Sequence, residues 1–77
     1  MSNLPPLKWR RIGANIRTAR GHYGGWSYQL DQVWGPGGWD ARFHDETGRD
    51  VLLARNVNFA AAKAAANRHH QHPGASV

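Results

Sequence analysis

Three histidines, His69, His70 and His72, stand close to the C-terminus of this 77-residue chain in the order HHxH. Zinc sites use histidine at such spacings, but they need three or four ligands held in fixed geometry. A cluster running into Pro73-Gly74 offers no such frame, so the pattern is read as no metal site. Histidine near a helix C-terminus is accounted for by its favourable interaction with the helix dipole. Other reactive constellations are absent. The chain has no cysteine, which removes thiolate chemistry and disulfides together. Asp45, Glu46 and Asp50 gather around one turn, where turn chemistry explains them. Neither GHYGG (21–25) nor GPGG (35–38) is followed by the Gly-Lys-Ser/Thr of a phosphate-binding P-loop, and Asp40 stands where a dinucleotide fingerprint would need its third glycine. With no nucleophile, base or cofactor motif, the reading is of a non-catalytic protein with no cofactor and no small-molecule substrate.

Charge points elsewhere. Ten Lys and Arg stand against five Asp and Glu, a formal net charge of +5. Only Lys8 and Lys63 are lysine, so eight of the ten cations are arginine. Arginine binds phosphate through a planar fork and stacks on bases, which lysine does less well. The expected partner is therefore a polyanion: nucleic acid, or the acidic protein surface of a host nucleoprotein complex. The segment KWRR places Trp9 among Lys8, Arg10 and Arg11, the aromatic-plus-cation mixture that a nucleic-acid contact uses. Against this stands the alternative that Trp9 packs over a sheet edge, since buried aromatics dominate small cores. No apolar run is long enough for a signal peptide or a membrane span, so the expectation is a cytoplasmic protein with no membrane partner.

These residues need a frame. Residues 1–6 read as a flexible lead, with Pro5 and Pro6 excluding helix, residues 7–72 as one domain, and 73–77 as a frayed tail. WSYQLDQVW (26–34) alternates over nine residues, with Trp26, Tyr28, Leu30 and Trp34 on one face. WDARFH (39–44) puts Trp39, Ala41 and Phe43 inward, and DVLLA (50–54) is a further short strand. Ahead of them, 7–12 and 14–19 read as strand segments anchored by Trp9, Ile12 and Ile16 and broken at Gly13. NFAAAKAAANRHHQ (58–71) is alanine-rich helix with Asn58 as N-cap and Phe59, Ala62 and Ala66 on one stripe. The fold class is α+β: an antiparallel meander of three strands, or four if the N-terminal segment adds an edge strand, packed against one C-terminal helix.

Loop chemistry proposes the register. A four-residue loop Gly35–Gly38, with Pro36-Gly37 in a type II turn, would set Trp34 opposite Trp39, Leu30 opposite Phe43, Asp31 opposite Arg42 and Gln29 opposite His44. A three-residue loop Glu46–Gly48 would set Asp45 opposite Arg49, Phe43 opposite Val51 and Ala41 opposite Leu53. The face away from the helix would then carry Arg17, Ser27, Gln29, Asp31, Asp40, Arg42, His44 and Leu52. The contact set expected from charge and face is Lys8, Trp9, Arg10, Arg11, Arg17, Gln29, Arg42 and His44.

From Trp26 to about His70, the succession WSYQLDQV, WDARFH, DVLLA and NFAAAKAAANRHH resembles the small three-strands-plus-helix DNA-binding modules, the plant AP2-type domains and the arm-binding domains of phage integrases. That resemblance implies an open sheet face entering the major groove, with Arg17, Gln29, Arg42 and His44 in contact. The acidic pair those helices often carry after the N-cap is missing, and this face has fewer arginines than theirs. In size and style the chain also resembles the short proteins of phages and prophages, a class that includes anti-CRISPR inhibitors. The expected function is a small nucleic-acid or nucleoprotein-binding module. The alternative is a phage-type inhibitor of a bacterial defence system acting through protein–protein contact.

Overall fold

The computed structural model describes residues 7–21, 25–33 and 35–71. The expectations about residues 1–6, Trp34, His72 and the tail 73–77 lie outside the described residues. Five strands, β1 (Arg10–Gly13), β2 (Ile16–Arg20), β3 (Ser27–Gln32), β4 (Trp39–His44) and β5 (Asp50–Val57), form one antiparallel sheet in chain order, and helix α1 (Phe59–Gln71) follows. The class is α+β with a C-terminal helix, as the sequence implies, but the meander has five strands rather than three or four. The break at Gly13 is a hairpin corner between two paired strands, with an irregularity in pairing between Arg11 and Gly13.

Helix α1 starts where its cap chemistry begins. The Asn58 side-chain oxygen accepts the Ala61 N–H at 2.8 Å, and its carbonyl accepts the Ala62 N–H at 3.0 Å, satisfying amides that would otherwise lack partners. Ala62 and Ala66 are completely buried. Their methyl groups let the helix lie close to the sheet, while Phe59 packs its ring 4.7 Å from that of Trp39. Beneath the helix are Tyr28, Leu30, Trp39, Ala41 and Phe43, all buried. Burial of this kind stabilises by about 1.5–3 kcal/mol for each large side chain.

The β3–β4 register is a correction. Leu30 opposes Ala41, Gln29 opposes Arg42, Tyr28 opposes Phe43 and Ser27 opposes His44. The Gly35–Gly38 turn forms as expected, with a Gly38 N–H to Gly35 carbonyl bond of 3.1 Å and Gly37 at φ 81°, the positive φ that a type II turn requires there. The strands close one residue earlier than the loop pattern suggests, through Val33 N–H to the Gly38 carbonyl at 3.2 Å. Sliding the loop by one position shifts each pairing by two. An even shift keeps every side chain on its face, so the buried set survives while the cross-strand partners change.

The second hairpin forms as read near its turn. Asp45 and Arg49 are joined by a 3.2 Å backbone bond, Gly48 has φ 86°, and Phe43 opposes Val51. The Asp45 carboxylate accepts from the Thr47 hydroxyl at 2.6 Å and from the N–H groups of Thr47 and Arg49. Those bonds, the hydroxyl's first, hold its pKa below the usual value. Farther along, β5 bulges, so Ala41 opposes Ala54 rather than Leu53, and Trp39 opposes Val57. Both Leu53 and Ala54 pack against the core at that point.

β2 carries the second correction. Ile16 and not Arg17 lies on the face away from the helix, because Ile16, Thr18 and Arg20 oppose Asp31, Gln29 and Ser27. The inward residues are Arg17, opposite Leu30, and Ala19, opposite Tyr28 and part of the buried cluster that also holds Leu7, Phe43 and Ala66. Position 17 takes a long side chain whose guanidinium reaches the rings of Trp39 and Phe59 and the carbonyls of Gly13 and Ile16.

Candidate nucleic-acid interface

The chain reaches β1 in an extended run whose side chains alternate. Leu7 is buried under α1, with its N–H donating to the Asn67 side-chain oxygen at 3.0 Å. Trp9 packs against both parts of the core. Lys8 and Arg10 are exposed. Arg10 opposes Thr18, which puts it on the open face. One row of open-face residues therefore runs Arg10, Thr18, Gln29, Arg42, Leu52, and a second runs Arg20, Ser27, His44, Asp50.

These rows are not electrostatically uniform. At the β4–β5 side, Arg42 Nη1 lies 3.3 Å from Asp50 Oδ2, and His44 Nδ1 lies 4.0 Å from Asp50 Oδ1. In the centre, Gln29 donates its amide to both oxygens of Asp31 at 2.9 Å. Three of the expected contact residues are therefore engaged by acids of the same face. Asp40, expected on that face in solvent, is buried instead. Its Oδ1 accepts the Asn56 N–H at 2.9 Å. Asn56 has φ 54° in the β5 bulge, so the carboxylate secures an amide that the bulge takes out of the ladder.

The β1–β2 side differs. Lys8, Arg10 and Arg20 line a cleft of about 450 Å³ together with Thr18, Ala19 and Ser27. Among the described residues no carboxylate pairs with any of the three cations. The Thr18 hydroxyl donates to the Tyr28 carbonyl at 3.1 Å. Three of the ten cations thus share one concavity.

The remaining expected contacts fall elsewhere. Arg17 sits on the helix side, its guanidinium 5.7 Å from the Trp39 ring centroid and 5.8 Å from that of Phe59. Its Nη1 reaches the carbonyls of Gly13 and Ile16 at 3.3 and 3.2 Å. Arg11, opposite Arg17, bonds the Gly13 carbonyl. Trp9 is committed to the core, with its indole N–H buried and, among the described residues, without a hydrogen-bond partner. The structure brings Lys8 and Arg10 together and adds Arg20, Thr18 and Ser27, of which the sequence singled out only Ser27 as facing outward. Period-two spacing from Thr18 to Arg20 was the available signal, and it needed the correct face of β2.

The histidines also move. His70 is fully buried and His69 nearly so, and both pack edge-on against Tyr28. They close the core at the end of α1 instead of standing at a solvated helix end. Among the described residues no group of three or more His, Cys, Asp or Glu side chains is placed to hold a metal ion, and no helix is long and apolar enough to cross a membrane. Comparison with protein-family models, with curated proteins and with solved structures finds no match to this chain.

Proposed function

We propose that the protein is a small non-catalytic module that binds nucleic acid through the basic β1–β2 side of its open sheet face. The observation that carries this reading is the cleft where Lys8, Arg10 and Arg20 converge with no carboxylate partner. Like-charged side chains repel, so gathering three of them in one concavity costs free energy until an anion arrives. Net charge of +5 supplies the longer-range attraction. Titrating fluorescent DNA and RNA against salt tests the reading. Binding should weaken with salt, with a log–log slope no steeper than about −2 to −3, the limit in which each of the three cations neutralises one phosphate charge. Failure to bind either polymer at about 50 mM salt, where phosphate-driven affinity is strongest, defeats it.

A second reading is supported by Leu52, 46% exposed beside Arg42 on the open face. An apolar side chain among polar groups suits a protein contact. In that reading the chain is a phage-type inhibitor of a bacterial defence system, docking on an acidic protein surface. Capture of a stoichiometric protein partner after nuclease treatment, lost on Leu52→Asp, would favour it over the first.

A further inference from the structure

Nucleic acid can be held along a continuous backbone or at a chain end, and the charge layout distinguishes the two. We propose that the cleft of Lys8, Arg10 and Arg20 receives a terminal phosphate, so that the protein grips the end of a nucleic-acid chain. The proposal rests on the nucleic-acid reading above and adds where on the polymer the protein acts.

The first argument is stoichiometric. An internal phosphodiester carries one negative charge. A terminal phosphomonoester carries about −1.5 to −2 at pH 7 and offers three strong acceptor oxygens. The cleft presents one ammonium, two guanidiniums and the Ser27 hydroxyl, with no acid among its lining residues. Thr18 adds no donor, because its proton goes to the Tyr28 carbonyl. Three cations exceed what one diester requires and match a dianion with three oxygens.

The second argument concerns what lies beyond the cleft. A protein that tracks a backbone needs cations continuing along the path. Here one row leads from Arg10 and Thr18 to Gln29, which is bound to Asp31, and then to Arg42, which is paired with Asp50; the other leads from Arg20 and Ser27 to His44 and Asp50. At a strand spacing of about 4.8 Å, Asp50 on β5 stands three strands, roughly 14 Å, from Arg20. Asp31, on β3, lies two residues beyond Gln29, the partner of Thr18. Further phosphates crossing the sheet would meet Asp50 on one row, and on the other Gln29 and Arg42 already engaged by Asp31 and Asp50. One anion is drawn in at the edge, and a continuing chain is turned away from the face.

The test uses one fluorescent oligonucleotide sequence in four forms: 5′-phosphorylated, 3′-phosphorylated, with hydroxyls at both ends, and covalently circular. Anisotropy at about 50 mM salt should show one phosphorylated form bound roughly tenfold or more tighter than the dihydroxyl and circular forms, the scale of one hydrogen bond to a charged group. Arg10→Gln with Arg20→Gln should remove that preference while leaving the thermal midpoint unchanged, since both side chains are exposed. Equal affinity for all four forms overturns end recognition and leaves the nucleic-acid reading standing. Failure of every form to bind overturns both. A preference that survives the double substitution overturns the assignment to this cleft.

Discussion

The phenol oxygen of Tyr28 and Nδ1 of His69 lie 2.8 Å apart in the buried seam between sheet and helix. The imidazole lies tilted against the Phe43 and Trp26 rings, with centroids 4.4 and 5.9 Å away. In the neutral Nε2–H tautomer, the phenol donates to Nδ1, a bond that a protonated ring cannot accept there. Burial lowers the His69 pKa from its usual 6.5, because a charged imidazolium loses hydration among aromatic rings.

The consequence for stability has a definite sign. The unfolded chain binds the His69 proton more readily than the folded one, so stability rises with pH across the interval between the two pKa values. It should be fully present above about 6.5 and be lost progressively as pH falls toward the depressed folded value. Urea unfolding between pH 5 and 8 checks this. His69→Phe should flatten that part of the profile, and an unchanged pH slope in this variant would assign the effect to another group. Tyr28→Phe should cost about 1 kcal/mol at pH 8, the usual worth of such a bond.

A second dependence joins β4 to the bulge of β5. Asp40, 4% exposed, accepts the N–H of Asn56, whose φ is 54°. Asp40→Ala leaves that amide without its carboxylate and should destabilise by about 1–3 kcal/mol. Asn56→Gly relieves the left-handed backbone and keeps the amide, so it should change stability by less than about 1 kcal/mol. Denaturant midpoints for the two variants decide whether side-chain capture or backbone conformation maintains the bulge. Equal losses would contradict this division of roles.

How much of this arrangement the sequence carries depends on the range of each signal. Helix α1 and its Asn58 cap are local features and form where the residues indicate. The buried faces of β3 and β4 are also legible, because large apolar residues alternate with polar ones. Their register is not, since Val33 and Trp34 are equally able to begin the loop and only closure through Gly38 decides. β2 is the least legible strand. In IRTAR the large apolar residue Ile16 turns outward and the small Ala19 turns inward, because burial there depends on neighbours distant in the chain, Ala19 joining the cluster of Leu7, Tyr28 and Phe43. Displacing Arg17 from the open face and placing Arg20 on it are two results of that one choice. The cleft was therefore only half visible, through Lys8 and Arg10. His69 and His70 were hidden for a similar reason, since seam partners such as Tyr28 lie some forty residues away in the chain.

Trp9 offers a way to separate packing from contact. Its ring adjoins both parts of the core, and its indole N–H is buried without a partner among the described residues. Trp9→Phe keeps most of the apolar area and removes an unsatisfied donor, so stability should change by less than about 1 kcal/mol in either direction. Trp9→Ala leaves a void and should cost about 3–5 kcal/mol. Nucleic-acid affinity, measured under conditions where the variant is folded, should follow neither change. Lost affinity in a fully folded Trp9→Phe variant would show that the indole touches the ligand.

Asp50 provides the last test, because it acts on affinity in the opposite direction to most substitutions. Its carboxylate lies 3.3 Å from Arg42 and 4.0 Å from His44, and all three side chains are about a third or more exposed. Exposed pairs of this kind contribute only about 0–1 kcal/mol to folding, so Asp50→Asn should leave the thermal midpoint nearly unchanged. The same substitution removes a negative charge from the path across the sheet and releases the Arg42 guanidinium. Affinity for an oligonucleotide at low salt should therefore rise, and the salt slope should steepen by about one phosphate contact. If the ligand is gripped at its end, the gain should be larger for circular or unphosphorylated strands than for phosphorylated ones, since the added cation favours a backbone crossing the face. A neutral or weakened interaction in Asp50→Asn would mean that Arg42 lies off the path, with the ligand confined to the β1–β2 cleft.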